Sequence, residues 1–194
     1  MHKVMDWLAR GFAMAGGAAL AAMILLICAS VVGRQVNGIL HSDVIEGLAP
    51  GLAAALLSTG IGPINGDFEI VEAAMAFAIF AFLPICTLRY AHASVDIFTS
   101  ALSPGANRVL RLATDILFAA VLVVIFWQLT LAGMSKHRSG QTTLLLEFPV
   151  WWSYAACIVA MAVAALVGVY VAAARVVEFA SGRPSGLTED GADH

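Results

Sequence analysis

A chain of 194 residues that is 61% hydrophobic and 12% charged cannot cover a soluble globule of its own size, because ten basic and thirteen acidic side chains are too few for that surface. Its mean hydropathy of +0.90 points to surface that faces a lipid bilayer, and the same composition excludes intrinsic disorder. A net charge of −3 with a pI near 5.9, and no basic tract longer than two residues, exclude nucleic acid as a partner.

A hydrocarbon core of ~30 Å takes ~20 apolar helical residues. The first uncharged stretch, residues 11–33, lies between Arg10 and Arg34 and meets that length. It is too long for the apolar region of a secretory signal, and no A-x-A site follows, so it reads as an uncleaved span. Ile27 before Cys28 removes a lipoprotein reading. The next stretch, residues 47–66, is interrupted by Pro50, Pro63 and glycines, and only residues 52–57 are solidly apolar. Further spans are predicted at 68–88 (with Glu69 and Glu72 at the interface), 112–134 and 149–174.

Basic residues decide whether 47–66 crosses, because cytoplasmic loops retain Lys and Arg. With four spans and the N-terminus inside, Lys3, Arg10, Arg89, Arg108, Arg111, Arg175 and Arg183 lie inside, and Arg34, Lys136 and Arg138 outside. A fifth span would place only Lys3, Arg10, Lys136 and Arg138 inside. Four spans satisfy the rule. Both termini are then cytoplasmic, and residues 44–62 form an interfacial or re-entrant segment on the outer face. The aromatic belts agree: Trp7, Tyr90 and Tyr170 fall at the inner ends, and Trp127, Trp151, Trp152 and Tyr154 at the outer ends. The fold class is thus an all-α integral membrane protein with four transmembrane helices and short interfacial helices, in one domain over residues 1–178, with a disordered tail at 179–194.

The polar residues of the spans and loops have local explanations beside functional ones. Asp67 suits the N-cap of the second span, and Glu69 and Glu72 suit the positive end of its dipole; a partner-docking site is the other reading. Residues 92–103 pattern as an amphipathic helix flat on the cytoplasmic interface, with Val95, Phe98 and Leu102 on one face. His92 and Asp96 share another face at i, i+4, fitting a local hydrogen bond or a proton relay. Asp115 would be costly at mid-bilayer, and Arg111 one turn earlier is its expected ion-pair partner, with an ion-pathway role as the alternative. Ala160, Ala164 and Gly168 are spaced by four on the last span and form a groove for a close helix, of this chain or of a second subunit.

Catalytic chemistry finds no footing. Cys28, Cys86 and Cys157 lie far apart in apolar runs, as small buried hydrophobes. The five histidines sit in polar stretches, unsuited to intramembrane haem ligation, and no HExxH, GxSxG, P-loop or GxGxxG motif is present. No cofactor or metal is expected, and the chain reads as a non-enzyme.

Four stretches, in order, carry a resemblance: Gly66-Asp67-Phe68-Glu69-Ile70-Val71-Glu72, Phe80-Ala81-Phe82-Leu83-Pro84, Ala91-His92-Ala93-Ser94-Val95-Asp96, and Phe148-Pro149-Val150-Trp151-Trp152-Ser153-Tyr154. Within the four-span frame they resemble the small membrane subunit of TRAP (tripartite ATP-independent periplasmic) transporters, the DctQ-like proteins, over roughly residues 5–35 and 64–178. The resemblance implies a scaffold subunit paired with a large multi-span subunit that holds the substrate and sodium sites. It also implies a periplasmic solute-binding protein that delivers the solute, commonly an organic acid, and uptake driven by sodium rather than ATP. Asp67, Glu69, Glu72, His92, Asp96, Pro149, Trp151 and Trp152 are its candidate interface or motif residues. Residues ~37–63 look like an insertion relative to the family, on the docking side. The alternatives are the small membrane component of a tripartite tricarboxylate system and a four-span enzyme or quinone-binding protein.

Overall fold

The computed structural model describes residues 2–42, 56–58, 62–89 and 104–181, with Gly51 and Gly60. Four helices hold most of them: α1 (His2–Leu40), α2 (Asp67–Leu88), α3 (Pro104–Ser139) and α4 (Trp151–Ser181). Each is long and apolar enough to cross a membrane, as the four-span reading expects. At ~1.5 Å per residue, the 39-residue α1 is about 58 Å long and the 36-residue α3 about 54 Å, so both outrun a ~30 Å core or tilt within it. The outer segment at 44–62 falls largely outside the described residues, and the amphipathic helix at 92–103 with His92 and Asp96 wholly so. Residues 179–181, placed in the tail by the sequence reading, continue α4; residues 182–194 lie outside the described set.

The helices alternate in direction. α2 and α4 pack together at the centre, α1 covers the other side of α2, α3 the other side of α4, and α1 touches α4 only lightly. Lipid tails are as apolar as leucine, so close packing rather than hydrophobicity must hold such a bundle together. Small residues provide it. A Cβ on Gly16 of α1 would stand 3.1 Å from the Ala81 Cβ of α2, and one on Gly168 of α4 would stand 2.7 Å from the Leu122 Cδ1 of α3.

Two clusters of buried side chains form the interior. Near the end that holds the N-terminus, Ala9, Leu88, Val167 and Val171 join α1, α2 and α4, with Met5, Ile85, Val163 and Tyr170 around them. Nearer the middle, Leu122, Met161, Ala164 and Ala165 join α3 and α4, covered by Phe80, Leu83, Phe118, Phe126 and Leu129. Pro84 brings no N–H to the Phe80 carbonyl inside α2, and its ring is fully buried in the bundle. Large apolar side chains on α1 and α3, among them Met14, Leu25, Leu117 and Val124, are exposed, as a bilayer or a second subunit requires.

Candidate functional site

The polar groups gather at the two ends of the bundle. At the outer end the chain enters α2 through Gly66, whose φ of 79° and ψ of 11° are left-handed. Glycine reaches this region without steric cost. It is also required by space, since a Cβ there would overlap the Leu146 side chain. Gly66 is therefore the N-cap, and it caps with its backbone: its carbonyl accepts the N–H groups of Glu69 (3.1 Å) and Ile70 (3.2 Å). This corrects the N-cap expected at Asp67.

Asp67 instead joins α1 to α2. Its Oδ2 accepts the Ser30 hydroxyl at 2.5 Å and lies 3.7 Å from Arg34 Nη2, while Oδ1 accepts the Phe68 N–H at 2.8 Å. Ser30 is buried in the helix interface and also accepts the Ile64 N–H at 3.4 Å, which ties the approach to α2 onto α1. Neither Ser30 nor Arg34 is conspicuous in the sequence: a serine in an apolar span and an arginine at its end have no periodic signature.

Glu69 holds the connection between α3 and α4. Its carboxylate accepts the backbone N–H groups of Leu145 (2.7 Å) and Leu146 (3.0 Å) through separate oxygens. That connection is a short hairpin: Thr142 and Pro149 form an antiparallel bridge, Thr143 N–H donates to the Phe148 carbonyl (3.0 Å), and Val150 N–H to that of Gln141 (3.0 Å). Its tip carries Leu144, 94% exposed, beside the exposed Leu145. Trp151 packs edge-on against His137 at 5.0 Å between centroids and against Trp152 at 6.3 Å, so the aromatic pair also fixes α4 to the end of α3. Glu72, one turn beyond Glu69, is exposed. The structure thus brings together Asp67, Glu69, Pro149, Trp151 and Trp152 at one end of the molecule.

At the opposite end, Asp6 pairs with Arg10 at 2.8 Å and faces Arg89 at 3.8 Å, linking the start of α1 to the end of α2. Asp115 of α3 pairs with Arg175 of α4, Nε to Oδ2 at 3.0 Å, and Arg175 Nη1 reaches Glu178 Oε2 at 3.1 Å. This corrects the expected Arg111–Asp115 pair. Arg175 lies buried beside Asp115 on the adjacent antiparallel helix, whereas Arg111 is exposed and forms no ion pair with Asp115 among the described residues. Pairing across helices depends on depth and packing order.

Ala160, Ala164 and Gly168 face inward. Both alanines are fully buried, and Gly168 abuts Ala119 and Leu122 of α3. In this chain the groove on α4 is filled by the chain's own helices.

A four-helix membrane protein whose ion pairs, among the described residues, lie towards its two ends is the class this architecture defines. The family described as "Tripartite ATP-independent periplasmic transporters, DctQ component" matches residues 23–178. The chain belongs to this family, and is a multi-pass membrane component of a TRAP transporter. No match is found among curated proteins or among solved structures.

Proposed function

We propose that the protein is the small permease subunit of a sodium-coupled, binding-protein-dependent importer of organic acids, and that it acts as scaffold for the large transport subunit. The membership of the DctQ family carries this reading. The distribution of charge supports the scaffold role: from Phe12 to Val32, Ala73 to Leu88, Ile116 to Ser135 and Trp151 to Ala174 no Asp, Glu, Lys or Arg interrupts the helices. A subunit without charge at mid-bilayer has little with which to carry an anionic solute or a sodium ion. The partners are then a large multi-span TRAP subunit and a periplasmic solute-binding protein. The site is the bacterial inner membrane, with both termini cytoplasmic.

The outer end, with Asp67, Glu69, Glu72 and the 142–149 hairpin, is then the periplasmic face, where a binding protein docks. Reconstitution tests the whole reading. Liposomes holding both membrane subunits, supplied with binding protein and an inward sodium gradient, should accumulate a carboxylate solute. Omitting the small subunit should abolish uptake. Uptake by the large subunit alone at the full rate would overturn the scaffold role.

A further inference from the structure

At the end of the bundle that carries most of the basic residues, a cleft of about 260 Å³ opens between the start of α3 and the end of α4, lined by Asn107, Arg108, Arg111, Leu112, Arg175, Glu178 and Phe179. Its three guanidiniums differ in role. Arg175 is matched by the carboxylates of Asp115 and Glu178. Arg108 spends its contacts on neutral partners: Nη2 donates to the Glu178 backbone carbonyl at 2.7 Å, and the guanidinium carbon stands 5.3 Å over the Phe179 ring. Those contacts hold the side chain in place without cancelling its charge. Arg111 is exposed at the cleft and forms no ion pair among the described residues. Among the described residues, three arginines against two carboxylates leave the cleft positive. About a turn further along α3, Ile116 and Leu117 are exposed, as are Val109 and Leu110 before them, and exposed Val176 and Val177 flank the α4 side.

A ligand suited to this place is anionic at one end and apolar at the other. We propose that the cleft binds one anionic phospholipid, its phosphate held by Arg108 and Arg111 and its acyl chains lying on the exposed apolar side chains next to it. Arginine favours this role, because its planar fork matches phosphate oxygens in pairs. Basic pockets between transmembrane helices on the cytoplasmic side are suited to such headgroups. Phe179 and Leu112 line the cleft with apolar surface that inorganic phosphate would not use. The inference rests on the four-span fold and is independent of what the assembled transporter carries.

The test uses the full chain purified in mild detergent, with native mass spectrometry and thermal unfolding as readouts. The additions are phosphatidylglycerol, phosphatidylcholine or inorganic phosphate. One phosphatidylglycerol per chain should be retained, saturably, with a rise of several degrees in Tm. Phosphatidylcholine and inorganic phosphate should give neither effect. Arg111→Gln should keep the lipid-free Tm and lose roughly tenfold in phosphatidylglycerol affinity, a difference of about 1.4 kcal/mol. Arg138→Gln, at the other end of the bundle, should bind as the unaltered chain does. An equal effect of inorganic phosphate would make the ligand a free anion and overturn the lipid assignment. Equal retention of phosphatidylcholine, unsaturable uptake of phosphatidylglycerol, or unaltered affinity in Arg111→Gln would each overturn the site. The comparison of lipids on the unaltered chain decides the matter even where the variant fails to fold.

Discussion

Arg175 and Asp115 meet at 3.0 Å across the α3–α4 interface although 60 residues separate them in sequence. Both side chains are mostly buried, and Glu178 shares the arginine. Removing one member of a buried pair leaves an uncompensated charge, which costs ~3–5 kcal/mol when the pair is isolated. Here Glu178 keeps Arg175 partly neutralised, so Asp115→Asn should cost less, about 2 kcal/mol. Arg111→Gln should leave lipid-free stability nearly unchanged. Thermal unfolding of both variants in detergent checks the pairing; a larger loss from Arg111→Gln would restore the intrahelical pair. In reconstituted transporter, Asp115→Asn should lower assembly while leaving the ion dependence of uptake, sodium under the proposed function, as it was.

The same pair marks the limit of what the sequence could tell. Span number, the positions of the apolar stretches and the grouping of acids at the start of α2 follow from composition and from the ~20-residue length of a bilayer crossing, which act locally. The family was legible too, in the order of its short motifs. Pairing across helices was not, because it depends on which helix lies beside which. That is why the sequence points Asp115 to Arg111, one turn away, rather than to Arg175. The Asp67 cap failed for a different reason. Gly66 also caps a helix, and its left-handed φ together with the space taken by Leu146 calls for a residue without a side chain at that point.

Glu69 should govern the hairpin between α3 and α4. Its two oxygens accept the Leu145 and Leu146 N–H groups, and hydrogen bonds to an ionised acceptor are roughly twice as strong as neutral ones. Glu69→Gln keeps the size of the side chain but offers one acceptor and a donor in place of two acceptors. The amides of Leu145 and Leu146 should then exchange faster with solvent deuterium, while those in the middle of α4 remain protected. Unchanged exchange at both amides would remove Glu69 as the anchor.

Orientation follows from the basic residues at the two ends. The structure gathers Arg10, Arg89, Arg108, Arg111 and Arg175 at one end, and Arg34, Lys136 and Arg138 at the other. The richer end should be cytoplasmic. On a background lacking Cys28, Cys86 and Cys157, cysteines at Ser42 and Ser139 should react with an impermeant maleimide applied to intact cells with a permeabilised outer membrane. A cysteine at Ser181 should react only after lysis. The opposite pattern would invert the protein.

The last prediction separates the chain's own packing from its contact with a partner. Ala164 is fully buried, and Gly168 abuts Leu122, so a leucine at either position overpacks the interior of this bundle. Overpacking typically costs ~1–3 kcal/mol. Ala164→Leu and Gly168→Leu should therefore lower the small subunit's own Tm, whether or not the large subunit is present. A close helix from the proposed large subunit would then use an outer face. On α1, Gly11, Ala15, Ala18 and Ala22 recur at spacings of three and four, all exposed, and a Cβ on Gly11 would meet nothing within 4 Å. The outward side of α3 carries Leu117, Val121, Val124 and Trp127, which hold a neighbouring backbone at a distance. Small residues let backbones approach closely enough for many weak contacts to add up. Ala18→Leu should thus leave the isolated subunit's Tm unchanged and reduce recovery of the large subunit by affinity purification, whereas Ala120→Leu on α3 should alter neither. Full recovery with Ala18→Leu and loss with Ala120→Leu would move the contact to α3.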